Sequence, residues 1–167
     1  MYFITDLLKQ FGTISEQAEI ELDGFITKRE LPKGTFLLEQ GKICKQLNFL
    51  ENGFARAFYF RDGKEITTWF AFEHDLVASM YSFTAQKPSL ENIEVIETSV
   101  VHSLTYDQLQ QLYQKYPEFN LIGRLLIEKY FIELEERILS LQIRSAKERC
   151  QKILMSQPEL LQRASLA

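Results

Sequence analysis

Between Leu31 and Phe72 the sequence alternates short apolar runs with single glycines, and this pattern restricts the possible folds more than any other feature. The separating glycines are Gly34, Gly41, Gly53 and Gly63. Glycine tolerates the positive φ angles of tight turns, and the runs between them are rich in the aromatic and β-branched residues that favour strands. The DGK tripeptide at 62–64, flanked by AFYF and ITTWF, is the clearest hairpin turn. We therefore expect an antiparallel β-roll of the jelly-roll type.

Helical periodicity precedes the predicted strands. Ser15 is a good N-cap residue, and Ala18, Leu22 and Phe25 follow it at helical spacing. The stretch TDLLKQF lies just before this segment and adds a shorter apolar pattern. The N-terminal region is therefore predicted to form two short helices.

Two further strands and a helix are predicted after residue 91. IEVIETSVVHSLTY has the composition of two strands, with Thr98 and Ser99 in the turn between them. YDQLQQLYQKYPEF is typical of a short amphipathic helix that stops near Pro117, because proline disrupts a helix interior. The order of elements predicts an α+β fold with N-terminal helices, a β-roll and C-terminal helices.

A longer helix is predicted from Phe119 to about Gln142, and its apolar residues occupy two stripes. One stripe, on the first half of the helix, is Phe119, Ile122, Leu126 and Tyr130, which could lie against the roll. The other follows spacings of 4, 3, 4 and 3 residues, as in a coiled coil. Its members are Ile127, Phe131, Leu134, Ile138 and Leu141. This second stripe predicts a homodimer joined by paired helices; the alternative is a helix packed on its own domain.

A new helix is predicted to begin at Ser145, because Ser145 and Glu148 form the S-x-x-E pattern of a capping box. Its apolar face would be Ala146, Cys150, Ile153 and Leu154. A single helix cannot bury such a face alone, so residues 144–167 are interpreted as the first part of a second helical domain. This segment holds five basic and two acidic residues, which would suit an anionic partner as well as an ordinary solvated helix.

The small number and the spacing of the cysteines and histidines exclude several classes of enzyme. The chain has two cysteines and two histidines, none of them at the spacing of metal ligands: Cys44, Cys150, His74 and His102. A metal-dependent barrel enzyme of the cupin type would need several histidines. We find no nucleophile and base pair and no phosphate loop, so we expect no catalytic residues, no metal and no cofactor. No apolar run reaches the roughly 18 residues that span a membrane, and no export signal is evident, so a cytoplasmic location is expected.

The order of these elements resembles the cyclic-nucleotide-binding regulators of the Crp/Fnr type. The matching stretches are LPKGTFLLEQG, NFLENGFARAFYF, DGKEI, EHDLV and LTYDQLQQLYQKYP. The resemblance implies a cyclic-nucleotide-binding-like sensor domain at 1–117, a dimerisation helix at 118–143, and a hinge with the first helix of a DNA-binding domain at 144–167. It further implies a transcription regulator that binds DNA as a homodimer through a helix-turn-helix domain, of which this sequence contains only the first helix.

The family's phosphate-binding cassette falls on residues 75–94, DLVASMYSFTAQKPSLENIE. The resemblance implies a glycine, a glutamate and an arginine at three positions, where this sequence has Ala78, Ser79 and Ser89. An arginine–phosphate bond is worth about 1.5–3 kcal/mol, which is at least tenfold in affinity. We therefore predict that cyclic AMP does not bind in the usual way. Arg56 or Arg61, on neighbouring predicted strands, is an alternative source of positive charge.

Aromatic and hydroxyl side chains crowd the predicted pocket. An apolar cavity with few polar groups suits a neutral or weakly polar effector of unknown identity. The alternative is that these aromatics are simply core, because alternate strand residues must face inward. The candidate pocket residues are Arg56, Trp69, Phe70, Ala78, Ser79, Met80, Ser82 and Ser89.

The residues and the resemblance together predict a dimeric transcription regulator with a degenerate cyclic-nucleotide cassette and ligand-modulated DNA binding. A second hypothesis is a stand-alone cyclic-nucleotide-binding-like module that acts through a protein partner. An enzyme is not expected.

Overall fold

The computed structural model describes residues 3–156 and 160–163, and it divides the chain into two compact units, Met1–Asn120 and Leu121–Ala167. The first unit begins with helices α1 (Phe3–Leu8) and α2 (Glu16–Phe25). Six strands follow: β1 (Thr27–Leu31), β2 (Phe36–Leu38), β3 (Gln46–Asn52), β4 (Ala55–Arg61), β5 (Lys64–Ala71) and β6 (Leu76–Val77). The unit continues with α3 (Met80–Ala85), β7 (Asn92–Val95), β8 (Ser99–Thr105) and α4 (Tyr106–Lys115).

The strands form two four-stranded sheets, in the orders β1-β8-β3-β6 and β2-β7-β4-β5. Every pairing between the named strands is antiparallel. The buried apolar core draws on both sheets and on the flanking helices, with Leu50, Val101, Val95, Leu22 and Leu112 all fully buried. The predicted α+β class with an antiparallel roll is confirmed.

The hairpin predicted at 62–64 is confirmed. Asp62 and Gly63 have φ angles of 53° and 75°, and Arg61 pairs with Lys64 across the turn. Two consecutive residues with positive φ are the requirement of a type I′ turn, which an Asp-Gly pair meets at low cost.

The predicted turn at Thr98 and Ser99 is displaced by one residue. Ser99 is fully buried, is the first residue of β8 and pairs with Leu31. Its hydroxyl donates to the Glu97 carbonyl, so the turn is closed from inside the strand. The serine that was expected to mark a turn therefore belongs to the sheet.

Ser15 is the N-cap residue of α2, as predicted, but its hydroxyl does not cap the helix. The hydroxyl instead donates to the Glu118 carboxylate at 2.6 Å, across 103 residues of sequence. This bond lowers the pKa of Glu118. The Ser15 side chain therefore makes a tertiary contact instead of capping its own helix.

The helix predicted from Phe119 begins two residues earlier. Helix α5 spans Pro117–Ile143, and proline is well suited to a first helical position because its missing N–H would have no helical partner there. In the second unit α5 is followed by α6 (Ala146–Ser156) and α7 (Leu160–Arg163). None of the helices in the described ranges is long and apolar enough to cross a membrane.

The capping box predicted at Ser145 is present. The Ser145 hydroxyl and backbone N–H both donate to the Glu148 carboxylate, at 2.7 and 2.8 Å, and the Glu148 N–H donates back to the hydroxyl. These bonds lower the pKa of Glu148. Of the predicted apolar face of α6, the side chains of Ile153 and Leu154 lie outside the described part of the structure.

Candidate ligand site in the β-roll

The segment predicted to be a phosphate cassette runs from β6 through α3 to β7. Four of the candidate pocket residues in it are at least nine-tenths buried: Ala78, Ser79, Ser82 and Ser89. Met80 is the first residue of α3 and is partly exposed. Helix α3 ends at Gln86, which has the left-handed φ of 50° and donates from its side chain to the Phe83 carbonyl. The cassette is therefore a short helix between two buried ends.

The loop before β3 holds this segment in place by backbone pairing. Gly41 N–H donates to the Ser89 carbonyl, and Ser89 N–H donates to the Lys42 carbonyl, both at 2.8 Å. The Ser89 hydroxyl donates to the Glu91 carbonyl at 2.8 Å. Ser89 therefore already has protein partners for its hydroxyl and for both of its backbone groups.

Ser82 and Cys44 form a second connection to the same loop. The Ser82 hydroxyl accepts from the Cys44 N–H at 2.9 Å and donates to the Lys87 carbonyl at 2.5 Å. The Cys44 thiol donates to the Gln46 carbonyl at 3.3 Å. Burial raises the pKa of the Cys44 thiol, so this cysteine is a poor nucleophile and acts here as a packing residue.

Trp69 and Glu91 are joined on one face of the second sheet. Trp69 Nε1 donates to Glu91 Oε2 at 3.2 Å, and the Thr68 hydroxyl donates to the same oxygen at 3.2 Å. Trp69 and Ile93 are both direct partners of Ala57 in the sheet, so they share its buried face. The hydrogen bond from the indole brings the Glu91 carboxylate beside Trp69.

Arg56 lies on the opposite face of the sheet. Its Nε donates to Glu94 Oε1 at 2.7 Å, and its Nη2 donates to Glu65 Oε2 at 2.6 Å. The guanidinium carbon lies 4.4 Å from the centre of the Phe58 ring. Burial disfavours the charge, but the bonds to Glu94 and Glu65 outweigh it and raise the pKa of Arg56. Both carboxylates are satisfied by this one guanidinium, so Arg56 has no spare charge for an anion.

The eight candidate pocket residues thus fall into three groups. The buried serines and Ala78 lie together in the cassette with Met80 beside them, whereas Trp69 reaches the cassette through Glu91. Phe70 pairs with Arg56 in the sheet, so these two residues lie on the face opposite Trp69. The Phe70 ring stacks on the Phe54 ring, with the ring centres 5.4 Å apart. Arg61, the second candidate for rescue of an anion site, is exposed beside the hairpin turn.

Sequence reasoning missed the role of Glu91 and Cys44. Glu91 directly precedes β7, and no local pattern predicts its bond to Trp69, which lies 22 residues away in sequence. No local signal predicts the bond from the Cys44 N–H to the Ser82 hydroxyl, because the two residues are 38 apart in sequence. In the described residues, no group of three or more His, Cys, Asp or Glu side chains is arranged to hold a metal.

A second candidate surface lies on α5. The five residues of the predicted seam are each 45–60% exposed in the single chain: Ile127, Phe131, Leu134, Ile138 and Leu141. One ion pair between residues four apart, Arg124 with Glu128, lies along one edge of this stripe, whereas Lys129 with Glu133 lies on the other side of the helix. The described chain therefore leaves the stripe largely uncovered.

Comparison with known families decides which fold family this arrangement represents. The family model described as the cyclic nucleotide-binding domain matches residues 28–116, which is more than half of the chain. The chain belongs to the cyclic nucleotide-binding domain family. Among curated proteins, no sequence matches it.

Solved structures with this fold include transcription regulators. The catabolite activator protein of Thermus thermophilus is 19% identical, with a TM-score of 0.66 over 95% of this chain and 72% of its own. A putative regulator of the Crp/Fnr family from Eubacterium rectale is 16% identical, with a TM-score of 0.70 over 88% of this chain and 69% of its own. The resemblance to Crp/Fnr regulators is thus confirmed for the fold.

The same fold also occurs outside transcription regulators. The regulatory subunit of a protein kinase A from Trypanosoma brucei, described as cAMP-independent, is 14% identical to the domain. Its TM-score is 0.57 over 70% of this chain and 40% of its own, and the structure is that of a triple mutant bound to cAMP.

Proposed function

We propose that the protein is a cytoplasmic, dimeric transcription regulator of the Crp/Fnr type whose sensor roll does not use cyclic-nucleotide phosphate chemistry. In this proposal residues 1–117 sense an effector, 118–143 form the dimer helix, and 144–167 begin a DNA-binding domain. The protein is a regulator rather than an enzyme. The observation that carries the proposal is the exposed apolar seam of α5.

The seam supports a dimer because large apolar side chains on one stripe are costly to leave in water. Five such residues at spacings of 4, 3, 4 and 3 match the a and d positions of a two-stranded coiled coil. The ion pair of Arg124 with Glu128 lies within the helix and keeps one edge of the stripe polar. Two copies of α5 would cover each other's seam.

The state of the cassette supports the loss of nucleotide binding. The hydroxyl of Ser89, which replaces the expected arginine, is bonded to its own loop. The carboxylate nearest to it in sequence, Glu91, would repel a phosphate. Arg56 is held by Glu94 and Glu65 on the other face of the sheet, so it does not compensate. A structural neighbour with this fold is described as the regulatory subunit of a cAMP-independent protein kinase A.

The mechanism that we propose is a shift between two arrangements of the dimer. An effector that binds one arrangement of the roll more tightly than the other would favour that arrangement. The change would pass along α5 to the hinge at Arg144 and Ser145, where the Ser145–Glu148 capping box starts a separate helix. Two helix-turn-helix domains moved by the two hinges would then bind or leave neighbouring half-sites on DNA.

The dimer is tested by light scattering of the purified chain. Leu134→Lys places a charge in the centre of the seam, and we expect it to weaken dimerisation by about a hundredfold or more. Leu139→Lys is the matched control, since Leu139 is equally exposed but lies about 120° around the helix from the seam. A monomer in the unchanged chain, or equal loss of the dimer in both variants, would contradict the seam.

The second candidate function is a module that acts through a protein partner. The observation that favours it is that the same fold occurs in a kinase regulatory subunit. A chain that stays monomeric at high concentration in the same experiment would favour this candidate over the regulator.

A further inference from the structure

Trp69 is the single tryptophan of the chain, and it lies on a face of the second sheet that also carries Ile93, Val95 and three alanines. Ala57 is its direct partner across the pair of strands, and Ala55 and Ala71 pair with each other two residues away. All three alanines are at most 2% exposed. The indole of Trp69 therefore lies next to small buried side chains on this face.

Glu91 holds the indole at its polar end. A carboxylate has only acceptors, and the two donors that meet it here are the indole N–H and the Thr68 hydroxyl, both on Oε2. The backbone N–H of Glu91 is itself bonded to the Ser89 hydroxyl at 3.1 Å. Glu91 therefore links Trp69 to Ser89, because its carboxylate bonds to the indole and its backbone N–H bonds to the serine. Ser89 is the cassette position where an arginine was expected.

We infer that Trp69, held by Glu91, is a built-in occupant of the effector pocket and that this pair determines which ligands the roll admits. The inference rests on the proposed function, in which the roll interior is the effector site. A ligand that enters must displace the indole from Glu91. It must also supply a hydrogen-bond donor in its place, because an unmatched carboxylate on a buried face is costly.

The pair therefore selects for a planar, neutral or positively charged hydrogen-bond donor and against anions. The volume of the indole excludes a second ring from the same space, and the negative charge of Glu91 opposes a phosphate or carboxylate. Arg56, the nearest strand arginine on the same sheet, is committed to Glu94 and Glu65 on the opposite face and does not offset that charge. Ser89→Arg alone would leave both the volume of the indole and the negative charge of Glu91 in place.

The experiment empties the position and refills it with probes of known shape. Trp69→Ala should create a cavity that takes up indole, and indole should raise the melting temperature of this variant but not of the unchanged chain. Benzofuran is the matched probe, because it has the shape of indole with an oxygen in place of the N–H. We expect benzofuran to bind about tenfold more weakly than indole, since it cannot donate to Glu91.

The double variant Trp69→Ala, Glu91→Leu is the control for selection. With the acceptor removed, indole and benzofuran should bind equally. If neither probe binds Trp69→Ala, the inference that Trp69 occupies the effector pocket is wrong. If indole and benzofuran bind Trp69→Ala equally while Glu91 is present, the inference that Glu91 selects for a hydrogen-bond donor is wrong. Light scattering of the same samples reports on the dimer separately, because Trp69 lies outside the α5 seam.

A second measurement decides the question if Trp69→Ala does not fold. In the otherwise unchanged chain, Glu91→Leu should release the indole and increase the quenching of its fluorescence by acrylamide. Glu94→Leu, a carboxylate on the opposite face, should leave the quenching unchanged. The same quenching in Glu91→Leu and in the unchanged chain would show that Glu91 does not hold the tryptophan.

Discussion

Gly53 occupies the point where the chain passes from β3 in the first sheet to β4 in the second, and Gly53→Ala should disrupt this crossing. The residue has a φ of +110°, which L side chains rarely adopt. An added Cβ would lie 2.1 Å from the Ser99 hydroxyl oxygen and 2.7 Å from the Ser99 Cα. Because Ser99 is fully buried and paired with Leu31, its backbone cannot move aside without disturbing β8.

The expected cost has two parts. The unfavourable backbone angle contributes about 1–2 kcal/mol. The collision with a buried backbone adds about 1–3 kcal/mol, as for other overpacked sites. The sum of about 2–5 kcal/mol is a large fraction of the stability of an ordinary domain.

The matched control is Gly34→Ala. Gly34 also has a positive φ, of +83°, but an added Cβ there would meet no atom within 4 Å. It should therefore cost only the backbone part, and the difference between the two variants isolates the collision. Urea unfolding followed by the fluorescence of Trp69 measures both, since this tryptophan lies in the same roll. Equal destabilisation of the two variants would refute the close approach of Gly53 to Ser99.

Two further predictions concern the ligand site and the response to acid. Titration calorimetry with cyclic AMP should give no binding in the usual affinity range; tight binding would contradict the lost cassette, which lacks a free arginine. Hydrogen bonds from Lys28 and His102 lower the pKa of Glu51 below its ordinary 4.5. The ionised carboxylate therefore stabilises the fold at pH values above 4.5. This stabilisation is lost as the pH falls through the lower pKa that Glu51 has in the folded protein. Glu51→Gln should therefore reduce the loss of stability on acidification, measured by thermal unfolding between neutral and acidic pH; an unchanged slope would contradict the pairing.

Local sequence patterns predicted the elements whose causes are local. The Asp62–Gly63 turn needs two residues that accept positive φ, and the Ser145–Glu148 capping box needs two side chains three residues apart. Both requirements are visible in a few letters of sequence. The seam of α5 is also a local pattern, because helical spacing alone places its residues on one stripe.

Contacts between distant residues could not be predicted in the same way. Ser15 was expected to cap α2, but the Glu118 carboxylate, which is far away in sequence, takes its hydroxyl. Arg56 was a candidate for an anion site, and only the register of three strands shows that Glu94 and Glu65 hold it on the other face. In each case the side chain has two possible partners, and the tertiary fold decides between them.

Hydrogen bonds within the protein hold the segment predicted to be the phosphate cassette. Ser89 and Ser82 both bond to neighbouring loops, so their polar groups have protein partners in place of a ligand. Among the described residues, no buried side-chain nitrogen or oxygen lacks a hydrogen-bond partner. A fold that satisfies its own cassette does not need a nucleotide for stability. The ligand chemistry of such a roll can therefore change while the fold stays the same.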